Sequence, residues 1–493
     1  MQNIPKIFLG LVAVSRDCFP LELSRKRQKE VLKKCQEMDI SVIEIETIIE
    51  TEKDIPRALE ELKQKRVNAL AVYLGNFGPE GPATLLAQNF NGPTMLVGAA
   101  EEHEDDLVHG RGDAFCGLLS ASYNMGLRRL KPFIPESPIG DAQATAENLA
   151  DFIAIARIVE GVRNLKIFSF GPRPFDFLTC HAPLQPLYDL GVEVMENSEL
   201  DLLDLVQTQK ANPRIKEVAA EMEEELGKGN TYPDLLTKLA QYEVALDSFF
   251  KDQLGASQFG VFANKCWPAF EKYFGHVPCY VNSRLAARGI PVACEADIYG
   301  ALSEYMAACA SQLIPTLLDL NNTVPQDMYR AYREGIGDYK IDDLWMGFHC
   351  GNTSASCMVS PQLQYQLIMH RLMEPGKEAD ITRGTLEGQI KSGPISIFRL
   401  QSTPDTILKA YIAEGEVLDL DPKSFGSIGI FAIKEMGRFY RHVLLEKKFP
   451  HHTAVAFNHA GKYLFPALRM LGVEDISYNL PGGVYYPSEN PFR

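Results

Sequence analysis

Two acidic residues at apolar segment ends are the first candidates for chemistry. Glu295 follows the apolar run at 290–294 and stands where a strand turns into a helix, with Asp297 in the same turn. That is the position where open α/β sheets hold reactive groups. Asp319 lies 319 − 295 = 24 residues further on, in the apolar run IPTLLDLNN. A strand–helix–strand unit of that length predicts that both carboxylates reach the same edge of one sheet. Taken alone, such a pair reads equally well as solvent-facing turn residues. Histidines add to it. His349 follows LWMGF and precedes CGNTS, and FPHHTAVAFNHAGKYL carries His451, His452 and His459 on a run that alternates like a strand and then turns helical. Adjacent histidines on a strand point to opposite faces, so one of His451 and His452 is expected to join the carboxylates and the other is not. A single histidine is as a rule a packed, hydrogen-bonded residue. Two carboxylates with one or two neutral imidazoles, and no cysteine pair, instead make a hard, oxygen-rich site suited to Mn²⁺ or Mg²⁺ rather than structural zinc.

The elements that must position these groups alternate from the start. Apolar strand-like runs at 7–14, 41–46 and 69–74 are separated by helical patterns at 21–38 and 55–65, which predicts a parallel sheet wrapped by helices. The loops GNFGPEGP (75–82) and GRGDAFCG (110–117) follow such strands, where ligands usually sit, although glycine and proline there also read as plain turn chemistry. Three prolines in KPFIPESPIGD break the pattern before a long helix over 142–163, and LKIFSFG and VEVMEN then repeat the α/β logic. The acidic stretch 212–247 predicts surface helices with a solvated charged face. GIPVACEADIYGALSEYMAACA is a strand entering a helix; beyond residue 314, runs such as GPISIFRLQ and GSIGIFAI predict a sheet or barrel. The expected organisation is two flavodoxin-like or Rossmann-like α/β domains, 1–131 and 132–313, the second carrying Glu295. A β-rich, barrel-like domain follows over 314–493, carrying Asp319, His349 and His452.

Composition narrows the function. The 493 residues hold 49 Lys and Arg against 64 Asp and Glu, a formal charge of 49 − 64 = −15, which argues against nucleic acid as a partner. No run approaches the roughly 18 uninterrupted apolar residues of a transmembrane helix, and the segment 7–14 reads as a buried strand rather than a secretion signal, so no membrane partner is expected. The ten cysteines are scattered without a C-x-x-C pair, as expected of reduced thiols in a cytoplasmic protein.

At these residues the sequence resembles the L-fucose and L-arabinose isomerase family of metal-dependent aldose–ketose isomerases. The likeness is an ordered set: ACEADIYGAL with Glu295, Asp319 after its 24-residue gap, FHCGN at 348–352, GTLEGQIKSGPISIFRL at 384–400 and HHTAVAFNHAG at 451–461. RDCFPLEL at 16–23, GNFGPE at 75–80 and GDAFCG at 112–117 match more loosely, the last two resembling the fucose-isomerase-related branch. The resemblance implies that Glu295 and Asp319 bind the metal and handle protons, with His452 as imidazole ligand and His459 in support. His349 resembles a fourth ligand of the arabinose branch and ranks here as a substrate contact. Gln258 in ASQFG resembles a substrate-binding glutamine, and Arg16 a basic residue reaching a neighbouring subunit's site. The implied cofactor is Mn²⁺, or another divalent cation such as Mg²⁺ or Co²⁺. The implied assembly is a homo-oligomer, hexamer or trimer, whose N-terminal domains close one another's sites.

Such an isomerase moves one proton between C1 and C2 and one between their oxygens, through a cis-enediol, with the divalent ion as Lewis acid and two carboxylates as acid and base. A neutral pentose or 6-deoxyhexose is the first expectation for substrate, because a strongly acidic chain is not an obvious host for an anion. The alternatives are a sulfonated hexose such as sulfoquinovose, or a non-catalytic sugar-binding sensor, which has no need of a metal constellation. A metal-dependent hydrolase would use similar ligands.

Overall fold

The longest unbroken apolar runs become the centre of a parallel sheet. A computed structural model describes residues 3–377 and 382–492. In its N-terminal unit, residues 5–160 with 465–472, strands β1 (Leu9–Val14), β2 (Val42–Ile49), β3 (Ala69–Leu74), β4 (Thr94–Ala99) and β5 (Ile139–Gly140) lie in the order β2-β1-β3-β4-β5. All pairings are parallel. Every residue of β1, β3 and β4 is buried, as a parallel sheet covered on both faces requires. The loops at 75–82 and 110–117 meet here: a Cβ on Gly117 would stand 1.9 Å from the Phe77 carbonyl oxygen, so this glycine is required by close backbone approach.

The rest of the described chain forms the second unit. Its first sheet is parallel, with β6 (Leu165–Phe170), β7 (Glu193–Asn197), β8 (Phe259–Ala263) and β9 (Val292–Ala293) in the order β7-β6-β8-β9. The acidic stretch folds into helices Arg214–Leu226 and Leu236–Gln253. Part of its charge is internal rather than solvated: Glu243, 2% exposed, takes Arg284 Nε at 2.7 Å, and Asp247 takes Arg288 at 2.8 Å.

The second sheet of this unit is β-rich. Strands β10 (Thr316–Thr323), β11 (Leu344–His349), β12 (Met358–Tyr365), β13 (Arg383–Ile390), β14 (Gly393–Ser402), β15 (Leu408–Leu418), β16 (Ser427–Ala432), β17 (His452–Ala456) and β18 (Asp475–Tyr478) follow the order β12-β13-β16-β11-β10-β17-β14-β15-β18. An extra β15–β16 pairing closes β16, β11, β10, β17, β14 and β15 into a barrel. The architecture is thus mixed α/β with a closed, barrel-like C-terminal sheet.

The helix Ile298–Ser311 joins the two sheets. It is buried at every position from Ile298 to Ala310, and it packs on β8 and β9 of the parallel sheet and on β14 and β17 of the barrel. A helix apolar on all sides needs cover on all sides, which changes one expectation. The chain leaving it does not return to the sheet of Glu295. It enters the barrel as β10, antiparallel to β11 and β17, so the two carboxylates stand on different sheets and Asp319 is mid-strand rather than at a strand end.

One carboxylate sits inside this helix. Glu304 is 2% exposed, and burial together with the Asp297 charge pushes its carboxyl up to about 8, although His452 and the Leu317 amide oppose this. Its folded state therefore holds a proton that the unfolded chain releases above its ordinary value of 4.5. The stability this contributes is complete at acidic pH and is lost as pH rises through about 8. In metal-free protein, Glu304→Gln should raise the Tm over wild type at pH 8 by several degrees, on the order of a few kcal/mol, with the difference shrinking towards pH 5. Thermal unfolding of both proteins across that range checks it, and a pH-independent difference contradicts it.

Candidate functional site

A strained turn delivers Glu295. After β9 the chain places two successive L-residues, Glu295 (φ +59°) and Ala296 (φ +56°), in the left-handed region, at a cost of about 1–3 kcal/mol each. The Ala296 amide donates to the Asn264 carbonyl at 2.8 Å, and the Asp297 amide to the Cys294 carbonyl at 3.1 Å. Asp297 then caps the buried helix, accepting from the Gly300 amide at 2.9 Å.

The barrel brings the opposing groups. Asp319 on β10 is in register with His452, the first residue of β17, and with Phe348, which precedes His349 at the end of β11. His452 is 1% exposed, and its Nε2 lies 3.1 Å from Glu295 Oε2 and 3.5 Å from Asp319 Oδ1. On the other side of the ring, Nδ1 stands 2.8 Å from Asp297 Oδ2. Asp297 is itself gripped by Arg399 of β14, with Nη1 to Oδ2 at 2.5 Å and Nη2 to Oδ1 at 2.9 Å. Arg399 is completely buried and also donates to Gln401 Oε1 at 2.7 Å. The carboxylate fixes which way the imidazole faces, and Arg399 fixes the carboxylate.

The remaining histidines flank this centre. His349 Nδ1 accepts the Cys350 amide at 2.9 Å, leaving Nε2 as the free ring nitrogen, and its ring is 6.0 Å from that of His452. His451 was expected to point away; its ring instead lies 4.5 Å from His452, with Nε2 3.8 Å from Asp319 Oδ1. It precedes the first ladder residue of β17, so strand alternation does not govern it. The Phe177 ring covers both, 5.5 Å from His451 and 6.3 Å from His452.

The charges are tuned apart. Burial would raise Asp297, but the Arg399 charge and the His452 bond hold it well below the usual carboxylate range. Glu295 likewise lies below its ordinary value, since His452 outweighs burial. Asp319 goes the other way, pushed to about 6 by burial and by Glu295 against the pull of His452. His349 and His451 fall to about 4 through burial and the His452 charge, so both are neutral imidazoles at neutral pH. Burial opposes the charging of His452, yet Asp297, Cys180 and Glu295 keep it raised.

Three sets of side chains place one donor atom each within 4.8 Å of one another: Glu295 with His451 and His452, Asp319 with His349 and His452, and Cys180 with Asp297 and His452. Asp319 Oδ1 and His452 Nε2 are both buried without a hydrogen-bond partner. A carboxylate oxygen and a ring nitrogen left without hydrogen bonds in the interior are costly, and a cation that displaces the ring proton of His452 would join them. Carboxylate and imidazole donors suit a hard divalent ion, so the residues present fit a metal.

The other two expected site residues lie elsewhere. Gln258 is exposed at the N-terminal end of β8, bonded to Asn164 at 3.2 Å, and the structure does not bring it to Glu295 at the opposite end of that sheet. Arg16 belongs to the N-terminal unit, just after β1, with its guanidinium 4.9 Å from the Phe77 ring and 3.8 Å from Glu80. His459 is exposed and bonds the Gly415 carbonyl at 3.1 Å. Sequence reasoning assigned no role to Asp297, Arg399 or Cys180. For the first two there was a signal: Arg399 is a lone charge inside the apolar strand ISIFRL, which needs a buried carboxylate, and Asp297 is the acid beside Glu295. Cys180, 3.9 Å from His452 Nδ1, comes from a loop with no such mark.

Comparison with known proteins gives the family. The model for the fucose/sulfoquinovose isomerase N-terminal domain matches residues 10–163, and that for the L-fucose isomerase C-terminal domain matches 347–478. A sulfoquinovose isomerase of Priestia aryabhattai is 22% identical over 484 residues, covering 97% of this chain and all of that protein. Another, of Alkalicoccus urumqiensis, is 24% identical over 64% of this chain and 65% of that one. The matched families are aldose–ketose isomerases of sugars, and this chain is one. The chain belongs to the fucose-isomerase-related family. The relatives' names correspond to the sulfonated alternative for substrate rather than to the neutral sugar expected first.

The Asp297–His452 contact makes a measurable demand. Replacing Asp297 by Asn removes the charge that orients the ring, and divalent-cation affinity should weaken about 10–100-fold by titration calorimetry. In wild type the affinity should fall as pH drops, because His452, whose proton affinity is raised, must lose its ring proton to ligate and Asp319 takes up a proton near 6; calorimetry in buffers of different ionisation enthalpy should show protons released on binding. Equal affinity in the Asn variant contradicts the role given to Asp297.

Proposed function

We propose that this chain is a metal-dependent isomerase that interconverts a sulfonated aldohexose such as sulfoquinovose and its ketose, with Mn²⁺ as the cation. The observation carrying the reading is the convergence of Glu295, Asp319 and His452 from three separate elements, with Asp319 Oδ1 and His452 Nε2 buried and without a hydrogen bond. The named relatives support the sulfonated substrate.

Glu295, Asp319 and His452 would hold the cation, with His349 and His451 beside them as neutral imidazoles. The bound cation supplies Lewis acidity at the oxygens of C1 and C2. Glu295 and Asp319, on separate sheets, act as the acid–base pair for the proton exchanged between those carbons, a contribution of about 10²–10⁴-fold each. Arg399 and Asp297 hold His452 in one orientation throughout. Phe177, with Trp267 6.2 Å behind it, forms an apolar wall that keeps water from the reacting carbons. The reaction conserves mass, which separates it from hydrolysis. Arg16 contacts substrate from a neighbouring subunit of a hexamer or trimer in the cytoplasm; an active monomer contradicts that assembly.

The test is to strip the purified protein with chelator and follow aldose-to-ketose conversion with and without Mn²⁺ on sulfoquinovose, 6-deoxyhexoses and pentoses. Activity should require the cation and favour the sulfonated sugar. Glu295→Gln and Asp319→Asn should each lower kcat about 10²–10⁴-fold with the Tm retained. Metal-independent conversion, or full activity in both variants, sinks the reading.

A further inference from the structure

We infer that the crevice at the C-terminal ends of β6 and β8 is an anion subsite, in which Lys265 and Arg173 hold the sulfonate of the sugar whose C1–C2 end lies at Glu295. The inference rests on the substrate class proposed above and assigns the residues that read it.

The topology opens the crevice. From β6 the chain moves to β7 on one side and afterwards to β8 on the other, so the loops leaving β6 and β8 diverge at the sheet's C-terminal edge. Those loops carry Gly171, Pro172 and Arg173 after β6, and Asn264, Lys265 and Cys266 after β8. Both basic residues of this edge therefore stand at the switch point.

Lys265 is 5% exposed, an unusual depth for an ammonium group. Backbone makes room for it: Gly171 adopts φ +83°, and a Cβ there would stand 3.2 Å from Lys265 Nζ. Its ion-pair partner is Glu199, at 3.1 Å, whose other carboxylate oxygen is buried without a hydrogen bond. Arg173 has its Nε buried and unpartnered, and no hydrogen bond or ion pair is found for its guanidinium among the described residues. Lys265 is paired with Glu199 and Arg173 has no carboxylate of its own among the described residues, so these two loops carry one uncompensated positive charge. A buried cation short of acceptors is stabilised by an anion with several oxygens, and the Arg fork with the Lys point charge suits the three oxygens of a sulfonate.

The crevice lies on the edge that carries Glu295. Asn264, next to Lys265, accepts the Ala296 amide of the strained turn at 2.8 Å. Two residues beyond Lys265, Trp267 contacts Phe177, which covers the histidines of the centre. A sugar lying along this wall would have its reacting end at the carboxylates and its charged end at the crevice. The net charge of −15 is then no obstacle to an anionic substrate, because the field that matters is local and positive.

The experiment compares kcat/KM for sulfoquinovose with that for the 6-deoxyhexose of the same configuration in wild type, Lys265→Met and Arg173→Ala. Each variant should lower the sulfonated-to-deoxy ratio about 10–100-fold, mainly through KM, with cation stoichiometry kept and Arg173→Lys recovering part of the loss. Wild type that turns over the deoxy sugar and not the sulfonated one overturns the substrate reading and the subsite together. Wild type that prefers the sulfonated sugar, with the ratio unchanged in both variants, overturns the subsite alone. Arg173→Ala, in a loop outside the helices and strands, keeps the test decisive if Lys265→Met fails to fold.

Discussion

The buried Arg399–Asp297 pair organises everything around it. An arginine with no exposed surface, inside a barrel strand, is tolerable because a carboxylate meets it in a bidentate grip. That carboxylate belongs to the parallel sheet's side of the unit, two residues from Glu295. It also caps the helix that both sheets enclose and holds the ring of His452. One ion pair thus ties barrel to sheet, a helix start to its cap and an imidazole to its orientation. Removing either partner would leave an uncompensated charge in the interior, which is far more costly than the pair itself is stabilising.

The centre's electrostatics follow from this anchoring. With Asp297 held ionised, His452 carries a charge that depresses His349 and His451 and draws Glu295 down, while Asp319, facing the same ring from the barrel, is left raised by burial. Two carboxylates that face the same ring nitrogen are therefore unequal in proton affinity, the arrangement that acid–base work requires. The inequality comes from placement on different sheets, one in a tight turn and one in mid-strand.

Much of the fold could be read from hydrophobic runs. Strands β1, β3 and β4 are continuous apolar segments because both faces of their sheet are covered, and Glu295, Asp319 and His452 stood out as polar groups at the ends or centres of such runs. What escaped was decided by tertiary pairing. Nothing local in IPTLLDLNN says that it pairs antiparallel with β11 and β17 rather than returning beside β9. His451 escaped the alternation rule because the ladder begins one residue later. Asp297 and Arg399 are 102 residues apart, and only the folded chain makes them a pair, although a lone arginine in an apolar strand already asks for a partner.

The closure of the barrel also sets when the centre can exist. The register that places Asp319 opposite His452 joins residues separated by 133 positions, since 452 − 319 = 133, and Glu295 must arrive from another sheet. No short segment contains enough donors to gather a cation by itself, so the centre is a product of folding and not its nucleus. A bound ion would recognise the native state and ignore the unfolded chain, and its binding energy would add to the stability of the whole unit rather than to any one element.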